Sequence, residues 1–331
     1  MPTMNDVAKL AGVSRGTVSN YVNGVKVKKE SQKKIQSAID ELGYIPNITA
    51  RELKMNRSNL VIFIVPTTQT PFFAELTYQI QRALKKKNYK MILCTSNNDI
   101  REELEYIQMS KEQKAAGIIT ISYSDFSNLL LEDIPIVSIE KKISDNIPCV
   151  SSDNYRGGKL AAEKLVENKA KKLLVITRTT DKTVTNYGER VKGFIDYCIE
   201  NKIDYDVFNS KHHEDNFFTD LSNFLNKEYT NTMPYDGIFA VSDQYADFSL
   251  EILKELGYSI PDNIQLIGFD GGKMYEYQNN PLSSIRQPIS KIVNSCVTIL
   301  ESIIKGNKKN YPEKIVLPVE FIQGKTTKKN I

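Results

Sequence analysis

Apolar positions in the first part of the chain recur at helical spacing in three short sets. Thr3 with Asp6 three residues later fits a capping box, and Val7, Leu10 and Ala11 then share one side of a first helix that Gly12 ends. Ser14 is a natural N-cap for a second helix, whose Val18 and Val22 point inward while Arg15, Gly16, Ser19, Asn20 and Asn23 share the opposite face. Gly24 stops it. A third helix carries Ile35, Ala38, Ile39 and Leu42 on one side and ends at Gly43. From Leu60 the pattern changes to short continuous apolar runs alternating with amphipathic helices. LVIFIV (60–65), KMILCT (90–95), GIITI (117–121) and PIVSI (135–139) read as buried parallel strands, with Phe73, Leu76, Ile80, Ala83 and Leu84 marking one intervening helix. A second series, KLLVIT (172–177), DGIFAV (236–241) and IQLIGF (264–269), alternates with helices around 189–201 and 244–256.

This pattern predicts an all-α head followed by an α/β core of two doubly wound parallel-sheet lobes around a cleft. Three short helices, the first two joined by a tight Gly-containing turn, make the head a helix-turn-helix unit. Neither lobe carries a glycine-rich phosphate loop.

Composition narrows the class. The chain has 331 residues, 40% hydrophobic and 25% charged, the proportions of an ordinary globular protein of two or three domains. No apolar run approaches a membrane span. The start MPTMNDVAKLAG has no apolar h-region, so a cytoplasmic location is expected. Cys94, Cys149, Cys198 and Cys296 are far apart and form no CxxC pair, so reduced buried thiols are expected rather than disulfides or zinc. The net charge of +4 is unevenly placed: residues 1–57 hold ten Lys/Arg against five Asp/Glu, the remainder 34 against 35. A basic head ahead of a near-neutral body points to an anion, with nucleic acid the obvious one; a solvated charged surface is the alternative on charge alone.

The second helix is unusual in keeping Ser, Gly, Thr, Ser and Asn, poor helix formers, on one side. Short polar side chains allow close approach to a groove floor; Ser and Thr hydroxyls bond phosphates, and Arg and Asn read base edges.

TMNDVAKLAGVSRGTVSNYVNG followed by ELGYIPNITARELK closely resembles the DNA-binding head and hinge of the lactose-repressor/galactose-repressor (LacI/GalR) family of bacterial transcription regulators. The resemblance implies a head over 1–46 and a hinge helix over 47–57. It assigns base readout to Arg15, Gly16 and Asn20, and phosphate contacts to Thr3, Ser14, Thr17, Ser19, Asn23 and Asn47. In the hinge, Ala50 is the small residue of a close helix contact, Leu53 the apolar wedge in the minor groove, and Lys54 its neighbour reaching into the same groove.

The resemblance continues through SSDNYRGGKLA (151–161), GERVKGF (188–194), SDQYADF (242–248), LIGFDG (266–271) and PLSSIRQP (281–288), and implies an effector-binding core like the periplasmic sugar-binding proteins. Strand exchange between lobes then places one subdomain over 58–167 and 287–317 and the other over 168–286 and 318–331, with crossings near Glu167, Gln287 and Pro318. Arg190 and Asp270 match the family residues that most regularly hold the effector, with Asp243 and Asp153 at comparable places. A guanidinium opposite carboxylates suits vicinal hydroxyls or a polar heterocycle. Phe72 or Phe73 would supply an apolar wall. His212 falls where many members stack an aromatic, in a chain that has no Trp. Adjacent His212 and His213 diverge and are not expected to hold a metal.

The expected function is a homodimeric operator-binding repressor, with a small sugar or sugar derivative as effector and without cofactor, metal or membrane partner. An exported-type sugar-binding protein with the same lobes is the alternative, disfavoured by the basic head. An enzyme is disfavoured because only two histidines exist and both lie in one polar segment. Induction versus co-repression, and assistance by a phosphocarrier protein, stay open.

Overall fold

The computed structural model describes residues 2–45, 58–124, 134–178, 186–210, 214–275, 277–279, 281–307 and 311–329. The chain divides into two compact units, Met1–Ser58 and Asn59–Ile331.

In the first unit, helices α1 (Met4–Ala11), α2 (Arg15–Val22) and α3 (Lys29–Leu42) enclose a small core of Val7, Ala8, Ala11, Val18, Ile35, Ala38 and Tyr44. The capping box at Thr3 forms in both directions, and Gly12 closes α1 in the left-handed region at φ 62°. One expectation shifts. Leu10 is 46% exposed, and Ala8 takes the inward place, because the stripe facing α3 runs through Val7, Ala8 and Ala11.

The second unit holds two six-stranded sheets. Strands β1 (Leu60–Val65), β2 (Lys90–Thr95), β3 (Gly117–Thr120), β4 (Ile136–Ile139), β5 (Cys149–Ser152) and β11 (Lys314–Leu317) form the first, in the order β11-β5-β4-β3-β1-β2. The second, in the order β12-β10-β9-β8-β6-β7, comprises β6 (Lys172–Thr177), β7 (Asp204–Asn209), β8 (Gly237–Ala240), β9 (Gln265–Asp270), β10 (Ser283–Arg286) and β12 (Glu320–Ile322). Among the described residues every pairing is parallel except β10 with β12.

Strand β1 shows why a continuous apolar run is required here. Val61, Phe63 and Val65 pack on one face with α4 (Pro71–Lys86) and α10 (Ile289–Ile304), while Ile62 and Ile64 pack on the other with Ile107 of α5 (Ile100–Glu112). The second lobe is built by α6 (Asn154–Glu167), α7 (Asn186–Asn201), α8 (Glu214–Tyr229) and α9 (Asp243–Glu255).

The chain passes between lobes three times. The first passage lies at Asp153, between β5 and α6, and so comes earlier than Glu167: Ala161, Ala162 and Leu165 of α6 belong to the second-lobe core. The physical reason is the α6–α7 contact, where Gly158 meets the backbone of Arg190 and Gly193 meets the backbone of Tyr155, leaving no room for a Cβ at either. The other passages fall after β10, at Gln287 and Pro288, and between β11 and β12.

Candidate functional site

On the head, the N-cap of α2 fixes the start of the candidate DNA-facing helix. Ser14 Oγ accepts from Thr17 N at 3.1 Å and lies 2.8 Å from Thr17 Oγ1. Asn23 Nδ2 donates to Ser19 O at 2.7 Å, so the last turn is held from the same face. Arg15, Gly16 and Asn20 are exposed, and a Cβ on Gly16 would meet nothing nearer than Ser14 Oγ at 3.8 Å. Thr3 is committed differently: its hydroxyl donates to Asp6 Oδ2 at 2.7 Å and its backbone N–H to the same oxygen at 2.8 Å. In this conformation it caps α1 and offers a phosphate no donor from that hydroxyl. Asn47, Ala50, Leu53 and Lys54 lie outside the described residues.

In the second unit, the carboxyl ends of the strands gather charged and amide groups from both lobes. Arg190 of α7 is buried; its Nε donates to Asn154 Oδ1 at 2.8 Å and its Nη1 to Val241 O at 2.6 Å. Asp270, at the end of β9, stands 3.5 Å from Nη1, and Phe269 lies under the guanidinium with its ring centre 3.5 Å from Cζ. The Arg190 side chain is 4% exposed and that of Asp270 is 19% exposed, so the carboxylate is the more open member of the pair. Asp270 adopts φ 118°, a left-handed backbone that Asp tolerates better than most residues and that marks stored strain.

Burial raises the Asp270 carboxyl above its ordinary range, against the opposing effect of Arg190. Asp243 is raised as well, by burial first and then by the charge of Asp270. Both oxygens of Asp243 are engaged: Gly271 N donates to Oδ2 at 2.7 Å and Ser284 Oγ to Oδ1 at 2.6 Å. Asp243 therefore fixes the turn after β9, which aims Asp270.

The remaining candidates are placed differently. Asp153 caps α6, accepting from Arg156 N at 2.9 Å, at the first passage between lobes. Phe72 is absorbed in the first-lobe core, whereas Phe73, edge-on to it at 5.2 Å, is half-buried and is the aromatic left to form a wall. His212 lies outside the described residues.

Sequence reasoning missed four partners. Glu140, directly after β4, is buried with φ 69°; it accepts from Ser152 N at 2.7 Å, Asn154 Nδ2 at 2.9 Å and Asn186 Nδ2 at 2.8 Å. Asn154, Ser152 and Gln287 complete the set, Gln287 Nε2 donating to Asp270 Oδ1 at 2.7 Å. A carboxylate following the apolar run PIVSI was a readable signal for Glu140; the amides and the serine carried none. Thr177 Oγ1, buried at the end of β6, has no hydrogen-bond partner among the described residues. A second link joins the lobes, where Arg286 Nη2 of β10 reaches Glu75 Oε1 of α4 at 2.9 Å.

Such an arrangement can hold a small polar molecule through a guanidinium, carboxylates and amides. It presents no nucleophile paired with a general base among the described residues.

A model of the lacI family of bacterial regulatory proteins matches residues 3–47, and a model of periplasmic binding protein-like domains matches residues 162–327. Over 335 residues, 98% of this chain and 99% of the relative, the sequence is 33% identical to a sucrose operon repressor of Pediococcus pentosaceus. It is 30% identical to a ribose operon repressor of Bacillus subtilis over 332 residues, 99% of each. Among solved structures, a periplasmic binding protein/LacI transcriptional regulator from Alkaliphilus metalliredigens complexed with D-xylulofuranose superposes with a TM-score of 0.73 at 30% identity, over 82% of this chain and all of that one. The lac repressor dimer bound to operator matches with a TM-score of 0.82 at 21% identity over 98% of each chain, a likeness of fold.

Proposed function

The chain belongs to the lacI family of bacterial regulatory proteins, DNA-binding repressors rather than enzymes, and from that premise we propose how its residues divide the work. Two copies bind a palindromic operator in the cytoplasm, each head laying α2 in the major groove. Arg15 and Asn20 read base edges, and Gly16 leaves its base pair unread. Ser14, Thr17, Ser19 and Asn23 contact phosphates, as does Asn47, while Ala50, Leu53 and Lys54 serve the paired hinge in the minor groove. A head reads only a few base pairs, so the dimer is what gives a usable site.

The effector is a small sugar or sugar derivative taken up between the lobes. Arg190 and Asp270 grip vicinal hydroxyls, Phe73 supplies the apolar wall, and Thr177 offers an unused hydroxyl. The observation that carries this reading is the Arg190–Asp270 pair at the carboxyl end of β9, where open α/β sheets take ligands. The names of the sucrose and ribose operon repressors support the same ligand class.

The test is fluorescence anisotropy of the full chain on a palindromic duplex selected from a random pool, titrated with sucrose, D-ribose, D-xylulose and their phosphates. A change in operator affinity with one of these sugars is expected. Unchanged affinity across the panel would remove the effector half of the proposal.

A further inference from the structure

The polar contacts around Arg190 close on themselves. From Glu140 the path runs through Asn154 Nδ2 at 2.9 Å, from Asn154 Oδ1 to Arg190 Nε at 2.8 Å, and from Arg190 Nη1 to Asp270 Oδ1 at 3.5 Å. It continues from Asp270 Oδ1 to Gln287 Nε2 at 2.7 Å and from Gln287 Oε1 to Ser152 Oγ at 2.7 Å. Ser152 N then donates back to Glu140 Oε1 at 2.7 Å. Six residues thus form one ring, in which every member except Asp270 is nearly inaccessible to solvent.

Two members stand where the chain changes lobes. Ser152 ends β5 immediately before the first passage, and Gln287 follows β10 at the second. Their side chains are bonded to each other, so the two passages are tied side by side. That tie ends on the carboxylate oxygen which also faces the Arg190 guanidinium. In a buried network each bond polarises and orients the next, and removing one partner exposes the others to the full cost of an unpaired polar group.

We propose that Ser152 and Gln287 are positioning residues that couple occupancy of Asp270 to the angle between the lobes. A ligand hydroxyl that takes Asp270 Oδ1 competes with Gln287 Nε2 for it. Release of Gln287 then loosens its hold on Ser152 and on both passages. Ser152 itself touches no ligand; it acts through Gln287. The inference rests on the effector reading above and adds the route by which that effector is felt.

The experiment measures coupling instead of affinity. Calorimetry gives the dissociation constant of the tightest binder among sucrose, D-ribose and D-xylulose, for the dimer alone and for the dimer saturated with its selected operator duplex. The ratio of the two constants is the coupling factor, typically about 5–150-fold for an allosteric pair. Ser152→Ala is expected to keep the sugar affinity of the free dimer within about threefold while pulling the ratio toward one. Gln287→Met, of similar bulk and without the amide, removes the competitor for Asp270 Oδ1; it is expected to raise the sugar affinity of the free dimer while also pulling the ratio toward one, and it guards against a folding defect peculiar to the first variant. A wild-type ratio retained in both variants would overturn the proposal, as would a loss of free-dimer sugar affinity as large as the loss of coupling. A wild-type ratio of one, with sugar and operator both bound, would sink the effector reading and this inference with it.

Discussion

Gly158 of α6 lies directly against the main chain of Arg190 in α7, with no space between them for a methyl group. Gly193 repeats the relationship one turn on, against the carbonyl of Tyr155. The two helices therefore meet backbone to backbone, and that closeness is what lets the Arg190 side chain reach Asn154, Val241 O and Asp270. Gly158→Ala forces α7 outward. Overpacking of this kind costs about 1–3 kcal/mol, to be read as a lower urea midpoint at unchanged slope. Sugar affinity should fall as well, because the guanidinium moves with its helix. Retention of both midpoint and affinity would show that the contact is looser than described.

Arg15 and Gly16 are adjacent and exposed yet differ in what they can read. A bidentate arginine–guanine contact discriminates by about 1–3 kcal/mol, so Arg15→Ala should relax base preference at one position per half-site. Competition binding with single-base operator variants measures this; a uniform loss over all variants would mean that Arg15 holds a phosphate.

Gly16 sits in a helix where a Cβ has open space. Gly16→Ala should raise the stability of the head by about 0.5–1 kcal/mol through lost chain entropy. The prediction is checked by calorimetric melting of the full chain, following the transition of the head.

Asp270 ties the site to pH. Its carboxyl is raised by burial, so the folded chain binds this proton more tightly than the unfolded chain does. Stability contributed by the protonated group is therefore complete below the unfolded carboxyl value of about 3.9 and is lost as pH rises through the folded one. Asp270→Asn cannot ionise and tolerates the left-handed backbone at φ 118°. Its stability relative to wild type should increase from pH 4 toward about pH 7. Urea midpoints of both proteins at the two pH values test this, and an unchanged gap would contradict it.

The Glu75–Arg286 pair spans the lobes with side chains only 12% and 19% exposed. Arg286 Nη1 also donates to the carbonyl of Gly271, and Lys273 N donates to Glu75 Oε2 at 2.8 Å. Removing Arg286 alone leaves a nearly buried carboxylate, a change worth about 3–5 kcal/mol. The double variant Glu75→Gln with Arg286→Met should be closer to wild type than Arg286→Met alone. Equal losses in single and double variants would mean that the pair contributes through packing only.

What the sequence disclosed depended on how strongly each element advertises itself. Strands β1, β3, β6, β8 and β9 are buried on both faces and stand out as apolar runs. Strands β7, β10, β11 and β12 are short or half-exposed, and segments such as DYDVFN and SSIR carry no such signature. The first passage lies earlier than expected because an amphipathic helix reads the same whichever sheet receives it; the packing of Ala161, Ala162 and Leu165 and the Gly158 and Gly193 contacts assign α6 to the second lobe. Arg190 and Asp270 were legible through motif resemblance, and they do meet. Asn154 and Gln287 were not, because their importance lies in long-range hydrogen bonds that no local spacing encodes, whereas Glu140 was signalled only by its place after an apolar run.

The first sheet takes its edge strand β11 and its covering helix α10 from residues 289–317, which follow almost the whole second lobe in the chain. A ribosome delivers residues in order, and domains made of continuous sequence fold as they emerge. This first lobe has no such option. While the second lobe is being synthesised, β5 waits with an open edge and Val61, Phe63 and Val65 wait without the helix that seals them. The lobe begun first is completed only after most of the second has been made, and the newborn chain spends that interval with its stickiest surface uncovered.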